Sequence, residues 1–410
     1  MEVEQILSEL IKIPSVNPPG GETQAALYLK RLFDHAGIEN EVIESAPGRG
    51  NFLASLGQGG KSLLFFSHTD VVPAGEGWDF DPFSGEIKAG VVHGRGALDC
   101  KGLVAAQAWV MLQLAKKPLK GRLTFATVAD EEAGGNYGAE FLAQNHLSKI
   151  TADFAVNEGG QEPCRLNGRM AYFIQIGEKG VAWTKLHSRG VSCHGSTPTL
   201  GDNAVAKMAK AITSLYDYKA EVRLSPEVKL LIQTFAQQQG WGEVNAANVD
   251  AFLDQWPDRQ FAEYLRAITR LTVSPNFVHG GTKTNIVPDS CQADVDIRIL
   301  PGQDEAYVRT QLSSLLNPEI EIDIHDYHPP SFSPTNTPGY RAMEQGIKRE
   351  LGDILCLPCV SSGATDSRFL RDKGIPSYGI GLLSPNYDPS IRATMHGKNE
   401  RIDIESLRLN

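Results

Sequence analysis

Residues 65–73 read FFSHTDVVP. The stretch begins as the apolar end of a buried strand and stops in His68, Thr69 and Asp70 before two valines and a proline. Residues two apart on an extended chain point to the same side, so His68 and Asp70 share a face where the strand ends. The neighbouring segments give that strand its setting. KSLLFFSH (61–68), RLTFATVAD (122–130) and DFAVNEGG (153–160) read as strands, and YLKRLFDHAGI (28–38), KGLVAAQAWVMLQLAKK (101–117) and GAEFLAQNHL (138–147) as helices. Such alternation implies an α/β domain whose mostly parallel sheet is flanked by helices. Ligands of such sheets gather beyond the carboxyl ends of the strands, where His68, Asp130, Glu131 and Glu158 fall.

From about residue 179 the texture changes. KGVAWTKLHSRG (179–190) reads as a strand, DNAVAKMAKAITSLYDYK (202–219) as a helix, RLTVSPNFVHGG (270–281) and SCQADVDIRIL (290–300) as strands, DEAYVRTQLSSLL (304–316) as a helix and EIEIDIHDY (319–327) as a strand. This β-α-β-β-α-β order is the ferredoxin-like pattern and marks an inserted domain. Inside it, residues 225–268 read as helical without a legible purpose. After the Pro-rich link HPPSFSPTNTPG (328–339) the α/β texture resumes with YRAMEQGIKRELG (340–352) and IPSYGIGLL (375–383). The expected organisation is a catalytic domain built from 1–178 and 330–410, interrupted by an insert at 179–329.

A chain of 410 residues is long enough for two such cores. With 41% hydrophobic and 21% charged residues it has the composition of an ordinary globular protein. Its 39 basic against 49 acidic residues, net −10, argue against nucleic acid or an anionic membrane as partner and favour a metal or cationic ligand. No run of eighteen apolar residues reads as a membrane span, and the N-terminus MEVEQILSELIKIPSVNPPGG looks like an amphipathic helix rather than a leader. The six scattered cysteines suit reduced thiols, so the expected location is cytoplasmic. CLPC (356–359) is a lone C-x-x-C that reads as a redox pair or half a zinc knuckle.

Five segments carry the chemistry: SHTD with His68 and Asp70, HGRGALDCKG with Asp99, ADEEAGG with Glu131 and Glu132, NEGG with Glu158, and TMHG with His396. Taken singly each has a plainer reading: a packed histidine, helix caps at Asp99 and Glu158, a solvated face for the glutamate pair. Taken together, two imidazoles and several carboxylates suit a borderline divalent metal such as zinc, with cobalt or manganese as substitutes, and outnumber what one tetrahedral ion needs. Two ions bridged by one carboxylate would use them all and leave one glutamate for proton transfer.

SHTDVVP, GRGALDCKG, ADEEAGG, NEGG, CHGSTP and TMHG, in that order, resemble the motifs of the di-zinc superfamily of acetylornithine deacetylase, succinyl-diaminopimelate desuccinylase, aminoacylase and bacterial glutamate carboxypeptidase. The resemblance spans nearly the whole chain. It implies a di-zinc exopeptidase-like fold with a ferredoxin-like lid and dimerisation domain. His68 and Glu158 would bind one zinc, Glu132 and His396 the other, and Asp99 would bridge, with a hydroxide shared between the ions as nucleophile. Glu131 would be the general base and Asp70 a hydrogen-bond acceptor for the far ring nitrogen of His68. Cys100 stands where relatives often carry Met or Asp, and its side chain is expected to point away from the metals. In the insert, His194 of GVSCHGSTP is implied as an oxyanion donor, reaching across from a partner in dimeric members. Asn285 and Arg298 would contact the substrate, with Arg298 as carboxylate clamp, and Gly363 and Thr365 of SSGATDSRF would line a substrate loop. The other histidines, including His93, His187, His279, His325 and His328, read as structural.

The expected function is therefore hydrolysis of the amide of an N-acyl amino acid or related small, carboxylate-bearing amide by a homodimer joined through the insert. Glu158 favours a deacylase, because peptidases of the superfamily more often carry Asp there. Two alternatives stay open: a metallocarboxypeptidase or dipeptidase of the same mechanism, and a binding protein that has lost catalysis.

Overall fold

The computed structural model describes residues 1–410. The chain divides into two compact units: Met1–Ile176 with Phe332–Cys359 and Thr365–Asn410, and Gly177–Ser331 with Val360–Ala364.

The first unit is built on a sheet whose centre follows the sequence pattern. Arg122–Val128, Ser62–His68, Phe154–Glu158 and Ser377–Ile380 lie side by side and parallel. Phe65 stands opposite Phe125 on one side and Val156 on the other. Side chains alternate between two apolar layers, as a strand requires. Leu63 and Phe65 join Phe33, Phe52 and Phe125 under the helices Val3–Ile11, Thr23–His35 and Lys101–Leu114. Leu64 and Phe66 pack with Ala126 and Val128 against Ala139–Asn145 and the neighbourhood of Leu370. Each fully buried Phe contributes about 1.5–3 kcal/mol relative to an exposed one, so a shift of register by one residue, which would exchange the layers, is excluded. The flanks are antiparallel: Asn40–Glu44 and Gly50–Leu56 extend the sheet beyond Arg122–Val128, and Arg169–Glu178 adds on beyond Ser377–Ile380. The α/β class expected from the sequence, a mixed sheet flanked by helices, is the one observed, but the sheet is less parallel than expected: of its ten strands the four at the centre run parallel, and these flanking strands are antiparallel because they join by short connections or return across the edge.

The second unit has four antiparallel strands in the order Thr272–Gly280, Ser290–Ile299, Gly180–Arg189, Ile320–His328. With the helices Ala204–Tyr216 and Glu305–Leu315 this is the ferredoxin-like arrangement. Cys291, Ala293, Val295, Ile297 and Ile299 face the helices in strict alternation. Residues 225–268, illegible in the sequence, form the helices Pro226–Gln238, Val249–Leu253 and Arg259–Ala267 around an aromatic cluster in which Phe235 lies 5.2 Å from Trp256 and 5.0 Å from Phe261. Lys179, almost fully buried, ties this subdomain to the sheet by donating to the Ala267 and Arg270 carbonyls, both at 2.8 Å.

The redox reading of CLPC does not survive. Cys356 and Cys359 lie on one strand, Leu355–Ser361. Positions three apart on a strand face opposite ways, roughly 10 Å apart, beyond the reach of a disulfide. All six cysteines are free thiols. No helix is long and apolar enough to cross a membrane.

Candidate metal centre

Three parallel strands deliver the donors to one edge of the first unit. Ser62–His68 ends in His68, Phe154–Glu158 ends in Glu158, and Arg122–Val128 runs through Ala129 and Asp130 into the single 3-10 turn Glu131–Ala133. Asp99 comes from the residue pair preceding the helix Lys101–Leu114, and His396 from a loop near the C-terminus.

The structure brings these side chains into two groups that share Asp99: His68, Asp99, Cys100 and Glu158 in one, Asp99, Glu132 and His396 in the other. His68 Nε2 lies 3.1 Å from Asp99 Oδ1 and 3.6 Å from Glu158 Oε1. His396 Nε2 lies 2.9 Å from Asp99 Oδ2 and 3.3 Å from Glu132 Oε1. Asp99 thus turns one oxygen to each histidine.

Ligand atoms about 2 Å from a tetrahedral ion lie roughly 3.3 Å from one another, and the four separations, 2.9–3.6 Å, bracket that value. Glu132 Oε1 is buried and receives no hydrogen bond, so it has an unused lone pair aimed at the group. The electrostatics agree. Burial and the Asp99 charge push the Glu158 carboxyl up to about 7, and burial with the charge of Glu158 raises Glu131 well above the carboxylate range. The Asp99 carboxylate, followed by that of Glu132, stabilises the protonated ring of His396 and holds the imidazole up to about 10. Crowded carboxylates that raise one another's pKa form a site that favours added positive charge. The residues fit a pair of divalent cations.

Asp70 differs from expectation in detail. Its backbone carbonyl is the group nearest His68 Nδ1, at 3.0 Å, with the carboxylate at 3.4 Å. The carboxylate mainly accepts hydrogen bonds from the Glu131 and Glu132 amides, at 3.1 and 3.0 Å, and from Asn17 Nδ2 at 2.8 Å. It therefore orients the histidine and holds the glutamate turn at once. Cys100 is also displaced from expectation: its buried sulfur does not point away but sits within 4.8 Å of the other donors. It lies 3.3 Å from both the amide and the carbonyl of His68, so the thiol is engaged by the strand end.

The glutamate turn rests on Asp130, already placed at a strand end by the sequence, and on Asn17, Arg49 and Asp366, to which the sequence assigned no role. Asp130 has φ +74°, a conformation side chains rarely adopt. It is held by an ion pair with Arg49, by Asn17 Nδ2 at 3.1 Å and by the Tyr137 amide at 3.1 Å. Asp366, buried behind the turn with its carboxyl pushed up to about 8 by burial, leaves Oδ2 without a partner. The Asn-Pro-Pro-Gly-Gly run at 17–21 was the available signal for the first support, and SSGATDSRF for the second.

The remaining expected residues are distributed. Thr365 belongs to the first unit and accepts the Ser367 amide through Oγ1 at 3.3 Å. His194, Asn285, Arg298 and Gly363 belong to the second. There, His194 pairs with Ile286 on a short two-stranded ladder, and the Gly195 amide donates to the Asn285 carbonyl at 2.8 Å, which makes His194 and Asn285 neighbours. His194 Nδ1 accepts the Ser196 amide at 3.2 Å, so the neutral ring carries its proton on Nε2. Arg298 lies on the open face of the four-stranded sheet, where its guanidinium pairs with Asp296 at 2.7 Å and sits 6.0 Å from the Trp183 ring. The Gly363 amide donates to Ser361 Oγ at 3.1 Å.

Comparison with known proteins agrees with this architecture. A succinyl-diaminopimelate desuccinylase of Legionella pneumophila is 27% identical over 99% of this chain and 95% of its own. The crystal structure of an M20 family metallo-carboxypeptidase from Sulfolobus solfataricus superimposes with a TM-score of 0.73 at 24% identity, covering 100% of this chain and 96% of that one. A Bacillus subtilis protein described as a dinuclear metal-binding peptidase of the M20 family superimposes with a TM-score of 0.61 at 14% identity, over 99% of this chain and 93% of that one. The family model of peptidase family M20/M25/M40 matches residues 64–409, and the chain belongs to that family.

Proposed function

We propose that this hydrolase removes the acyl group from a small N-acyl amino acid, in the manner of a desuccinylase or acetylornithine deacetylase, with two divalent ions held by His68 and Glu158, by Glu132 and His396, and by Asp99 between them. The observation that carries the reading is the division of Asp99, one oxygen toward His68 and one toward His396. Ions bound there, zinc or in its place cobalt or manganese, would polarise the amide carbonyl and acidify a nearby water.

The chain's own residues would do the rest. Glu131, whose carboxyl burial and the Glu158 charge raise well above the usual carboxylate range, takes a proton from the attacking water as the water oxygen bonds to the acyl carbon. It returns that proton to the nitrogen as the C–N bond breaks, giving a carboxylic acid and an amine, and passage of the acid's proton to the amine leaves a carboxylate and an ammonium. Asp70 keeps Glu131 and Glu132 divided between these tasks by fixing both amides. His194 offers its Nε2–H to the developing oxyanion. Arg298 and Asn285 take the substrate carboxylate, Arg298 exchanging Asp296 for it, and the loop at Gly363 and Thr365 bounds the substrate.

We propose further that two copies join through the second unit. Its strand Thr272–Gly280 is at a sheet edge, and Phe277 and Val278 on it are 55% and 54% exposed. Such an edge is a template for pairing with a second copy.

Likeness to the Sulfolobus metallo-carboxypeptidase favours a second reading, cleavage of a peptide bond next to a free C-terminal carboxylate. A hydrolysis screen of N-succinyl, N-acetyl, N-formyl and long-chain acyl amino acids beside dipeptides, with zinc, cobalt or manganese added, separates the two. Turnover of dipeptides alone would overturn the deacylase assignment, and no turnover of any amide would leave the non-catalytic binding protein.

A further inference from the structure

We infer that Glu400, through Arg95, is a positioning residue that sets the backbones of Asp99 and His396 relative to each other. The inference rests on the metal-centre reading above and adds residues that touch neither metal nor substrate.

Glu400 is fully buried and Arg95 is 1% exposed. The Glu400 carboxylate accepts four hydrogen bonds: Oε1 from the Leu98 and Asp99 amides at 2.8 and 3.2 Å, Oε2 from the Gly96 amide at 3.0 Å and from Arg95 Nη1 at 2.6 Å. Arg95 then extends Nη2 to the Pro73 carbonyl at 3.3 Å and to the His396 carbonyl at 3.4 Å, with its guanidinium 5.2 Å from the Trp78 ring. One continuous path therefore runs from the Asp99 amide through Glu400 and Arg95 to the His396 carbonyl.

His396 needs such an anchor. Its φ of +57° is one that a side-chain-bearing residue holds only when its surroundings impose it. Its own side chain is half exposed, so packing does not impose it. A buried ion pair is weak evidence for stability, because desolvation cancels much of the attraction. Here the Glu400 carboxylate is saturated with donors, and the pair ends on the two residues whose 2.9 Å approach belongs to the second ligand group. Planar arginine is required, since only a fork can hold Glu400 with one nitrogen and two carbonyls with the other.

The test is zinc binding to the metal-stripped full chain, followed by competition with a chromophoric chelator and by calorimetry. Arg95→Lys keeps a cation beside Glu400 but removes the second arm. It is expected to retain the wild-type circular dichroism and melting temperature of the metal-free chain, and to bind one zinc normally while the other weakens by about 10–100-fold. Glu400→Gln places an amide NH2 against the backbone donors beside Asp99, which both groups share, and should weaken the same equivalent further and the other to a smaller extent. Should Glu400→Gln not fold, Arg95→Lys decides alone. Two wild-type affinities in Arg95→Lys, or equal loss of both together with a lowered metal-free melting temperature, would overturn the positioning role. A wild-type chain that binds no divalent metal would instead overturn the metal centre, and the inference with it.

Discussion

Glu131 and Glu132 are neighbours in the chain and were expected to divide two tasks only if the strand had ended before them. It has: the 3-10 turn sends Glu132 toward His396, while both amides are tied to Asp70. Replacing Glu131 by Ala should lower kcat by about 10²–10⁴ with bound metal unchanged, as for a lost general base; metal analysis beside steady-state kinetics measures both, and undiminished turnover would end the assignment. A pH dependence follows from His396 and Glu158. A histidine held at about 10 stabilises the fold fully below its ordinary 6.5 and loses that contribution as pH rises toward 10. Glu158, pushed from 4.5 to about 7, prefers its neutral form and opposes folding as it ionises across that interval. Both act in one direction, so the chelator-treated chain should melt lower near pH 9 than near pH 5, while zinc affinity rises over the same range because protons compete for the ligands. A melting temperature that climbs with pH would contradict these shifts. At this scale the donors themselves were legible, because each stands in a short motif at a strand end. The supports Asn17, Arg49 and Asp366 were not: Asn17 and Asp366 stand in runs that read as a loop and a substrate segment, and nothing in a residue that acts by holding another states what it holds.

The element that decides the site is the turn from Asp130 to Gly138. Gly135 has φ +78°, and a Cβ there would lie 2.5 Å from Asp366 Oδ1 and 2.7 Å from Phe369 Cε2. Gly37 has a similar φ of +70° but open space around it. Gly37→Ala should therefore cost only the backbone term, about 1–2 kcal/mol, and Gly135→Ala roughly 2–4 kcal/mol once overpacking is added. Urea unfolding measures the difference, and Gly135→Ala alone should also loosen zinc retention by shifting the glutamate turn. Equal costs would mean that the turn has room to give. The strands and helices around it were legible in the sequence because their apolar period is local. The packing that separates these two glycines is made by the helix Ser367–Asp372, more than two hundred residues later, and leaves no trace near either.

For the whole molecule, the exposed Phe277 and Val278 carry the proposed dimer. Phe277→Asp with Val278→Asp should convert a sedimenting dimer to monomer without lowering the stability of the chain, because neither side chain is in a core; a wild-type chain that already sediments as a monomer would remove the proposal. Strand-end chemistry, the α/β alternation and the ferredoxin-like order of the insert were determined by the sequence alone, since hydrophobic period and motif order are properties of consecutive residues. The helical subdomain at 225–268 was not, because its aromatic cluster joins helices whose separate patterns do not state what they enclose. Nor was the pairing at the centre of the site. Asp99 meets His396, and Glu400 meets the loop around Asp99, only after the chain has folded back across most of its length. Hydrogen bonds between segments so far apart follow no repeat in sequence, and tertiary structure alone decided which carboxylate oxygen faces which histidine.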